Sequence, residues 1–226
     1  MRNFISEDDI EQAILQKLEG DPFQYGILRC DPSPDKRELL PDGTGRSSKK
    51  ECVLPLILRE ALARLNPDIP GEKLEEIARD LCRDFSATDM TATNYKYYNQ
   101  IRNGIKISLR RNGKEDFDFV KLVDFDRPEN NTFTAVSQMW IQGRVYWRRP
   151  DVLIFINGLP MVFVELKNSI VKVEEAYNDN LKNYLRDIPN LFALNQICVL
   201  SNGLETRLGA FNATYNHFFE WLKVDS

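Results

Sequence analysis

Residues 150–167 read Pro150-Asp-Val-Leu-Ile-Phe-Ile-Asn157-Gly158-Leu-Pro160-Met-Val-Phe-Val-Glu165-Leu-Lys167, two apolar runs around an Asn-Gly pair, with Asp151, Glu165 and Lys167 as the only charges. Asn-Gly between apolar runs is a strong hairpin signal, because both turn residues tolerate positive φ. The charges need a separate reason. Burying an unpaired carboxylate or ammonium costs several kcal/mol, so a strand ending Val-Glu-Leu-Lys beside one that begins with Asp calls for compensation. A divalent metal at the edge of the core would supply it.

Strand parity turns this into a geometric expectation. Side chains at i and i+2 share a sheet face, so Glu165 and Lys167 lie on one side about 7 Å apart, and Leu166 points the other way. A plain two-residue turn at Asn157-Gly158 pairs Ile156 with Leu159 and leaves Asp151 beside Val164, on the wrong side. A three-residue loop, Asn157-Gly158-Leu159, or a bulge sets Asp151 opposite Glu165, with Gly158 left-handed. Two carboxylates meeting there form a hard-oxygen site suited to Mg²⁺, with Mn²⁺ able to substitute, and the Leu166 carbonyl offers a third ligand. Lys167 would orient the attacking water or stabilise charge on a phosphate. The competing reading is a turn aspartate beside an edge ion pair.

Outward from the hairpin, the chain alternates helical and strand patterns. Ser6, followed by Glu7, Asp8 and Asp9, caps an amphipathic helix that ends at Gly20. A short strand is expected over Gln24–Arg29, and residues 31–50, rich in Pro, Asp, Gly and Ser, read as a mobile loop. Its Gly43–Lys50 segment lacks the spacing of a phosphate loop. Helical spacing marks Cys52–Leu65, Pro70–Phe85 and Tyr95–Asn103; strands are expected at Ile105–Leu109, Phe117–Asp124 and Phe133–Ile141. After the hairpin come a helix over Val173–Arg186, strands at Gln196–Ser201 and Glu205–Leu208, and a last helix over Ala213–Lys223. Helices flanking a strand-rich middle make one α/β domain over residues 1–226.

With 226 residues, 42% of them hydrophobic, the chain can bury a full core, and its net charge of −4 lacks the global basic signature of a nucleic-acid binder. Any DNA contact must be local. The four cysteines, with no CxxC pair, indicate neither a zinc site nor a disulfide framework. A single histidine, His217, disfavours imidazole-dependent hydrolases and nucleases; it reads as a partly covered helix residue. With neither a signal-peptide core nor a membrane span, a soluble cytoplasmic protein is expected.

The run from Arg149-Pro150-Asp151 through Asn157-Gly158-Leu159-Pro160 to Glu165-Leu166-Lys167-Asn168 resembles the PD-(D/E)XK nuclease motif found at the amino terminus of the restriction (R) subunit of type I restriction-modification enzymes. The similarity extends upstream to Glu60-Ala61-Leu62 with Leu65-Asn66-Pro67, and to Val123-Asp124-Phe125 with Pro128 and Asn130-Asn131. Downstream it takes in Ala176, Leu181, Tyr184, Ile188-Pro189, Leu191-Phe192, Asn195, Ser201-Asn202-Gly203 and Arg207-Leu208-Gly209. It implies a restriction-endonuclease-like fold, a central mixed sheet flanked by helices, with Asp151, Glu165 and Lys167 catalytic. It also implies Mg²⁺-dependent, sequence-nonspecific hydrolysis of double-stranded DNA. ATP-driven translocase domains would lie elsewhere in a larger subunit assembled with methyltransferase and specificity subunits; the isolated fragment would be monomeric.

The family's Gln-xxx-Tyr pair stands here as Asn180 and Tyr184, on one helix face but with a side chain one methylene shorter. Tyr184 could instead pack in the core with Asn180 solvated. Glu60 could add a carboxylate, although a solvated helix face also accounts for it. Arg148, Arg149, Lys172 and Lys182 flank the motif and could contact phosphates. Two alternatives stay open: a stand-alone PD-(D/E)XK defence or repair nuclease, and a noncatalytic DNA-binding or assembly module with this fold.

Overall fold

The computed structural model describes residues 4–111 and 114–222. Helix α1 (Glu7–Glu19) starts at a capping box: Ser6 Oγ accepts from the Asp9 N–H at 3.2 Å, and the Asp9 carboxylate accepts from the Ser6 N–H at 3.0 Å. Strand β1 (Gly26–Arg29) follows. Helices α2 (Pro55–Leu65), α3 (Gly71–Cys82) and α4 (Met90–Asn103) form a layer whose core includes Leu58, Leu62, Ile77, Leu81, Tyr97 and Ile101. Proline opens α2, where its missing N–H costs nothing, and Gly104 at φ +83° closes α4. Strands β2 (Ile105–Arg111) and β3 (Lys114–Val120) pair with each other as a separate two-stranded sheet.

The main sheet has seven strands in the order β1-β4-β7-β8-β9-β10-β11. It comprises β4 (Phe133–Ser137), β7 (Val152–Ile156), β8 (Leu159–Leu166), β9 (Ile197–Ser201), β10 (Thr206–Gly209) and β11 (Phe219–Glu220) beside β1, while β5 (Ile141–Gln142) and β6 (Trp147–Arg148) make a small separate pair. The β1–β4 and β8–β9 pairings are parallel and the rest antiparallel, so the sheet is mixed. The β8–β9 crossover contains α5 (Val173–Glu175), a π-helical stretch (Ala176–Leu181) and α6 (Lys182–Asp187) in unbroken succession. It covers one sheet face through Val173, Ala176, Leu181 and Tyr184; α1 covers the other through Ile10 and Leu15. This is the mixed sheet flanked by helices of a PD-(D/E)XK-like nuclease fold.

The central hairpin meets the parity requirement by a bulge. Ile156 pairs with Leu159, leaving a two-residue turn with φ +52° at Asn157 and +80° at Gly158. The expected three-residue loop is therefore corrected. Asn157, fully buried, locks this turn: its Oδ1 accepts from the Thr132 N–H at 2.8 Å and its Nδ2 donates to the Leu122 carbonyl at 2.9 Å. The register then slips, since Phe155 pairs with Pro160 but Ile154 pairs with Val162, which leaves Met161 as the extra residue. Pro160 has no N–H for the ladder, and strand prolines concentrate at such irregularities. Continuing from the Val152–Val164 pair by one step puts Asp151 opposite Glu165.

Two other expectations change. The last helix does not form: a 3₁₀ turn at Tyr215–His217 leads into β11, which pairs with the open edge of β10, and His217 is exposed, bonded to Thr214 Oγ1 at 2.8 Å. Lys223, the end of that expected helix, lies outside the described residues. Residues 31–50 are irregular apart from a short 3₁₀ turn, but half-buried Asp42 binds the buried Arg46 and Lys49 at 2.7 Å each, and Arg46 donates to the Trp140 carbonyl at 3.2 Å. These bonds tie the segment to the body of the domain.

A Cβ at Gly158 would lie 2.6 Å from the Leu54 carbonyl oxygen and 2.8 Å from the Leu58 nitrogen, in a left-handed conformation. Gly158→Ala is expected to destabilise the domain by about 2 kcal/mol or more in urea unfolding. A loss within about 0.5 kcal/mol would show that the turn can move away from α2 at little cost.

Candidate active site

Asp151 stands just before β7, and Glu165 is the penultimate residue of β8. The shifted register puts both on the face lined by Leu153 and Phe163, the one α5 and α6 cover. Asp151 Oδ2 accepts from the Leu166 N–H at 2.8 Å, which ties the aspartate to the strand carrying Glu165. Lys167 Nζ lies 3.9 Å from Glu165 Oε1 and 4.0 Å from Glu7 Oε1. The Leu166 side chain is buried on the α1 side, as alternation requires.

Glu165 is only 2% exposed. Its Oε1 accepts from Asn180 Nδ2, while Oε2, equally buried, has no hydrogen-bond partner among the described residues. Burial first, then the Asp151 charge, push the Glu165 carboxyl well above its usual range; Lys167 and the Tyr184 hydroxyl pull the other way. Asp151 is raised too, chiefly by burial, with the Leu166 N–H opposing. A buried carboxylate oxygen without a partner, beside a second carboxylate, is an environment short of positive charge.

Asn180, inside the π-helical stretch, reaches Glu165 despite its shorter side chain. A π-helical turn holds an extra residue and so rotates its side chains relative to a continuous α-helix, and such turns are frequent at functional sites. Tyr184 both packs and bonds: it is buried edge-on against Phe163 at 5.4 Å, and its hydroxyl donates to the Arg149 carbonyl at 3.1 Å. Arg149 lines a cavity of about 460 Å³ in front of Asp151, donates to the Pro32 carbonyl at 2.8 Å and stacks over Trp140. Lys172 is exposed at the start of α5, and Lys182 is exposed but donates to Asn178 at 2.7 Å.

Two candidates have roles or places that do not need the site. Arg148 is committed to the buried Asp187 carboxylate, with Nε at 2.7 Å. Glu60 is exposed on α2, whose first turn packs at Gly158, the far end of the hairpin. That is about 20 Å of strand away from Glu165, so Glu60 does not join the site.

Sequence reasoning missed three residues that α1 and the end of β4 bring to the cavity: Glu7, Glu11 and Gln138. Glu11 is buried, its carboxyl raised mainly by burial, and it accepts from Gln138 Nε2. A signal for it existed, since Glu11 lies four residues before Leu15 on the buried stripe of α1, where a carboxylate is out of place. Glu7, Asp8, Glu11 and Asp151 line this cavity with Arg29 and Arg149, and Lys167 links Glu7 to Glu165. Among the described residues no group of three or more His, Cys, Asp or Glu is arranged to hold a metal ion by itself. The two carboxylates at this edge are hard oxygen donors of the kind that suits a divalent cation completed by water.

The mixed sheet flanked by helices is that of a PD-(D/E)XK-like nuclease fold. Residues 4–217 match the family described as type I restriction enzyme R protein N terminus, HSDR_N, and the chain belongs to that family. It is 32% identical over 225 residues to the type I restriction enzyme HindI endonuclease subunit of Haemophilus influenzae, covering 98% of this chain and 21% of that protein. It is 33% identical over 119 residues to the type I restriction enzyme SauCOLORF180P endonuclease subunit of Staphylococcus aureus, covering 51% of this chain and 13% of that protein. The chain therefore spans about a fifth of the first relative's length. No helix among the described residues is long and apolar enough to cross a membrane.

Because the folded-state carboxyls of Glu165 and Asp151 titrate above their usual values, the folded state holds their protons more tightly than the unfolded chain. The cost of that burial is absent at acid pH and grows as pH rises from about 4 through the raised values. Glu165→Gln is expected to raise the thermal midpoint of the metal-free protein at pH 8 by several degrees, and by much less at pH 4, at roughly 2–4 °C per kcal/mol. Equal shifts at both pH values would show that Glu165 titrates normally.

Proposed function

We propose that this chain is the Mg²⁺-dependent DNA endonuclease domain of a type I restriction enzyme R subunit. The observation that carries the reading is the buried Glu165 carboxylate opposite Asp151 in the sheet register, its Oε2 without a hydrogen-bond partner among the described residues and its Oε1 3.9 Å from Lys167. Asp151, Glu165 and the Leu166 carbonyl would hold the ion. When bound, such an ion polarises a phosphodiester and generates hydroxide near neutral pH. Asn180 fixes the Glu165 carboxylate through Oε1 and leaves Oε2 free to bind. Lys167, held between Glu165 and Glu7, presents an ammonium to the phosphate whose charge grows as the bond breaks. Tyr184 anchors the main chain at Arg149, and Arg149, which lines the cavity, and the exposed Lys172 would take flanking phosphates.

With a net charge of −4 and no recognition element read from its sequence, the domain cuts without sequence preference and depends on delivery of duplex DNA. In this reading residues 1–226 are one domain of a longer cytoplasmic subunit. ATP-driven translocation, methylation and target recognition belong to other domains and subunits of the complex.

Asp151→Ala, Glu165→Ala or Lys167→Ala in the assembled enzyme is expected to lower DNA cleavage by at least about 100-fold while leaving ATP hydrolysis at its normal rate. Full cleavage by one of these variants would remove that residue's role. The purified 226-residue chain should run as a monomer and cut linear duplex DNA poorly with Mg²⁺ at physiological salt. Rapid cutting by that chain alone would show that delivery is unnecessary.

A further inference from the structure

Gln138 follows the last residue of β4, and its N–H donates to the Asp151 carbonyl at 2.9 Å. Its φ is +57°, a left-handed backbone in which a Cβ is disfavoured and glycine or asparagine is the usual choice. The side chain bears a second unfavourable feature, because its Oε1 is buried without a hydrogen-bond partner among the described residues. What these two costs secure is one amide group between two carboxylates: Nε2 donates to Glu11 Oε2 and lies 3.5 Å from Asp151 Oδ1. Attaching α1 to the sheet does not require it, since Ile10 and Leu15 already pack on Ala135, Val152 and Val164.

Resting on the nuclease reading above, we propose that Gln138 is a positioning residue for the metal-binding edge. Its amide aims the Asp151 carboxylate and holds the Glu11 carboxylate of α1 turned into the same cavity. The strained backbone is the conformation that brings the amide there. Groups that orient metal-binding side chains through hydrogen bonds change metal affinity by about 10–100-fold when removed.

The test uses the purified chain, with Mn²⁺ affinity measured by calorimetry and the metal-free thermal midpoint measured in parallel. Gln138→Gly accepts the left-handed backbone without strain, so its midpoint should equal or exceed that of the wild type while Mn²⁺ binds at least about tenfold more weakly. Gln138→Asn also tolerates that backbone but falls one methylene short of Glu11, so it should lose affinity in the same direction; it serves in place of the glycine variant should that one not fold. Wild-type Mn²⁺ affinity in either variant would overturn the inference and reduce Gln138 to a tether. A wild-type chain that binds Mn²⁺ no better than Glu165→Gln would overturn the metal-dependent reading itself, and this inference with it.

Discussion

One extra residue in β8 controls the chemistry available at this edge. Without the bulge at Met161, the two-residue Asn157-Gly158 turn would carry its parity down the ladder and set Asp151 beside Val164. A carboxylate would then enter the α1-side core, and Glu165 would face α5 and α6 alone. The turn cannot absorb the change, because Asn157 is buried and bonded to Thr132 and Leu122, and Gly158 abuts α2. The adjustment falls instead in the strand, next to a proline that could not have completed the ladder.

The site built on that parity is under electrostatic stress. Burial and mutual repulsion raise the carboxyls of Glu165, Asp151 and Glu11, and Lys167 answers only part of the charge. Sites that bind cations through carboxylates share this character: the groups that make the protein less stable when empty are those that gain most from a bound ion. The surrounding charges are matched by contrast, with Arg148 paired with Asp187 and Arg46 and Lys49 both bonded to Asp42, while Tyr184 packs edge-on against Phe163.

Much of this was legible in the residues. Ser6 and Gly20 bound α1 as a cap and a stop should; the apolar spacing around Leu58 and Leu62 buries the faces it marks; and Asp151, Glu165 and Lys167 stand out as charges within apolar runs. Ala213–Lys223 misled because its aromatic spacing fits a helix, whereas the open edge of β10 offers Phe219 and Glu220 a pairing that local spacing cannot reveal. Glu60 follows its solvated-face reading, exposed on α2 at the Gly158 end of the hairpin, an end that no motif order along the chain could have chosen.

The sequence by itself determined the hairpin, its buried charges and the need for Asp151 and Glu165 to share a face, because turn chemistry, alternation and the cost of burying charge are all local or nearly so. Tertiary structure decided how that need was met. The bulge was chosen over a longer loop by bonds from Asn157 to residues about 25 and 35 positions away, and the approach of Glu7, Glu11 and Gln138 came from α1 packing across the sheet. Contacts of that kind join segments whose separation along the chain carries no periodic trace, so only the folded chain displays them.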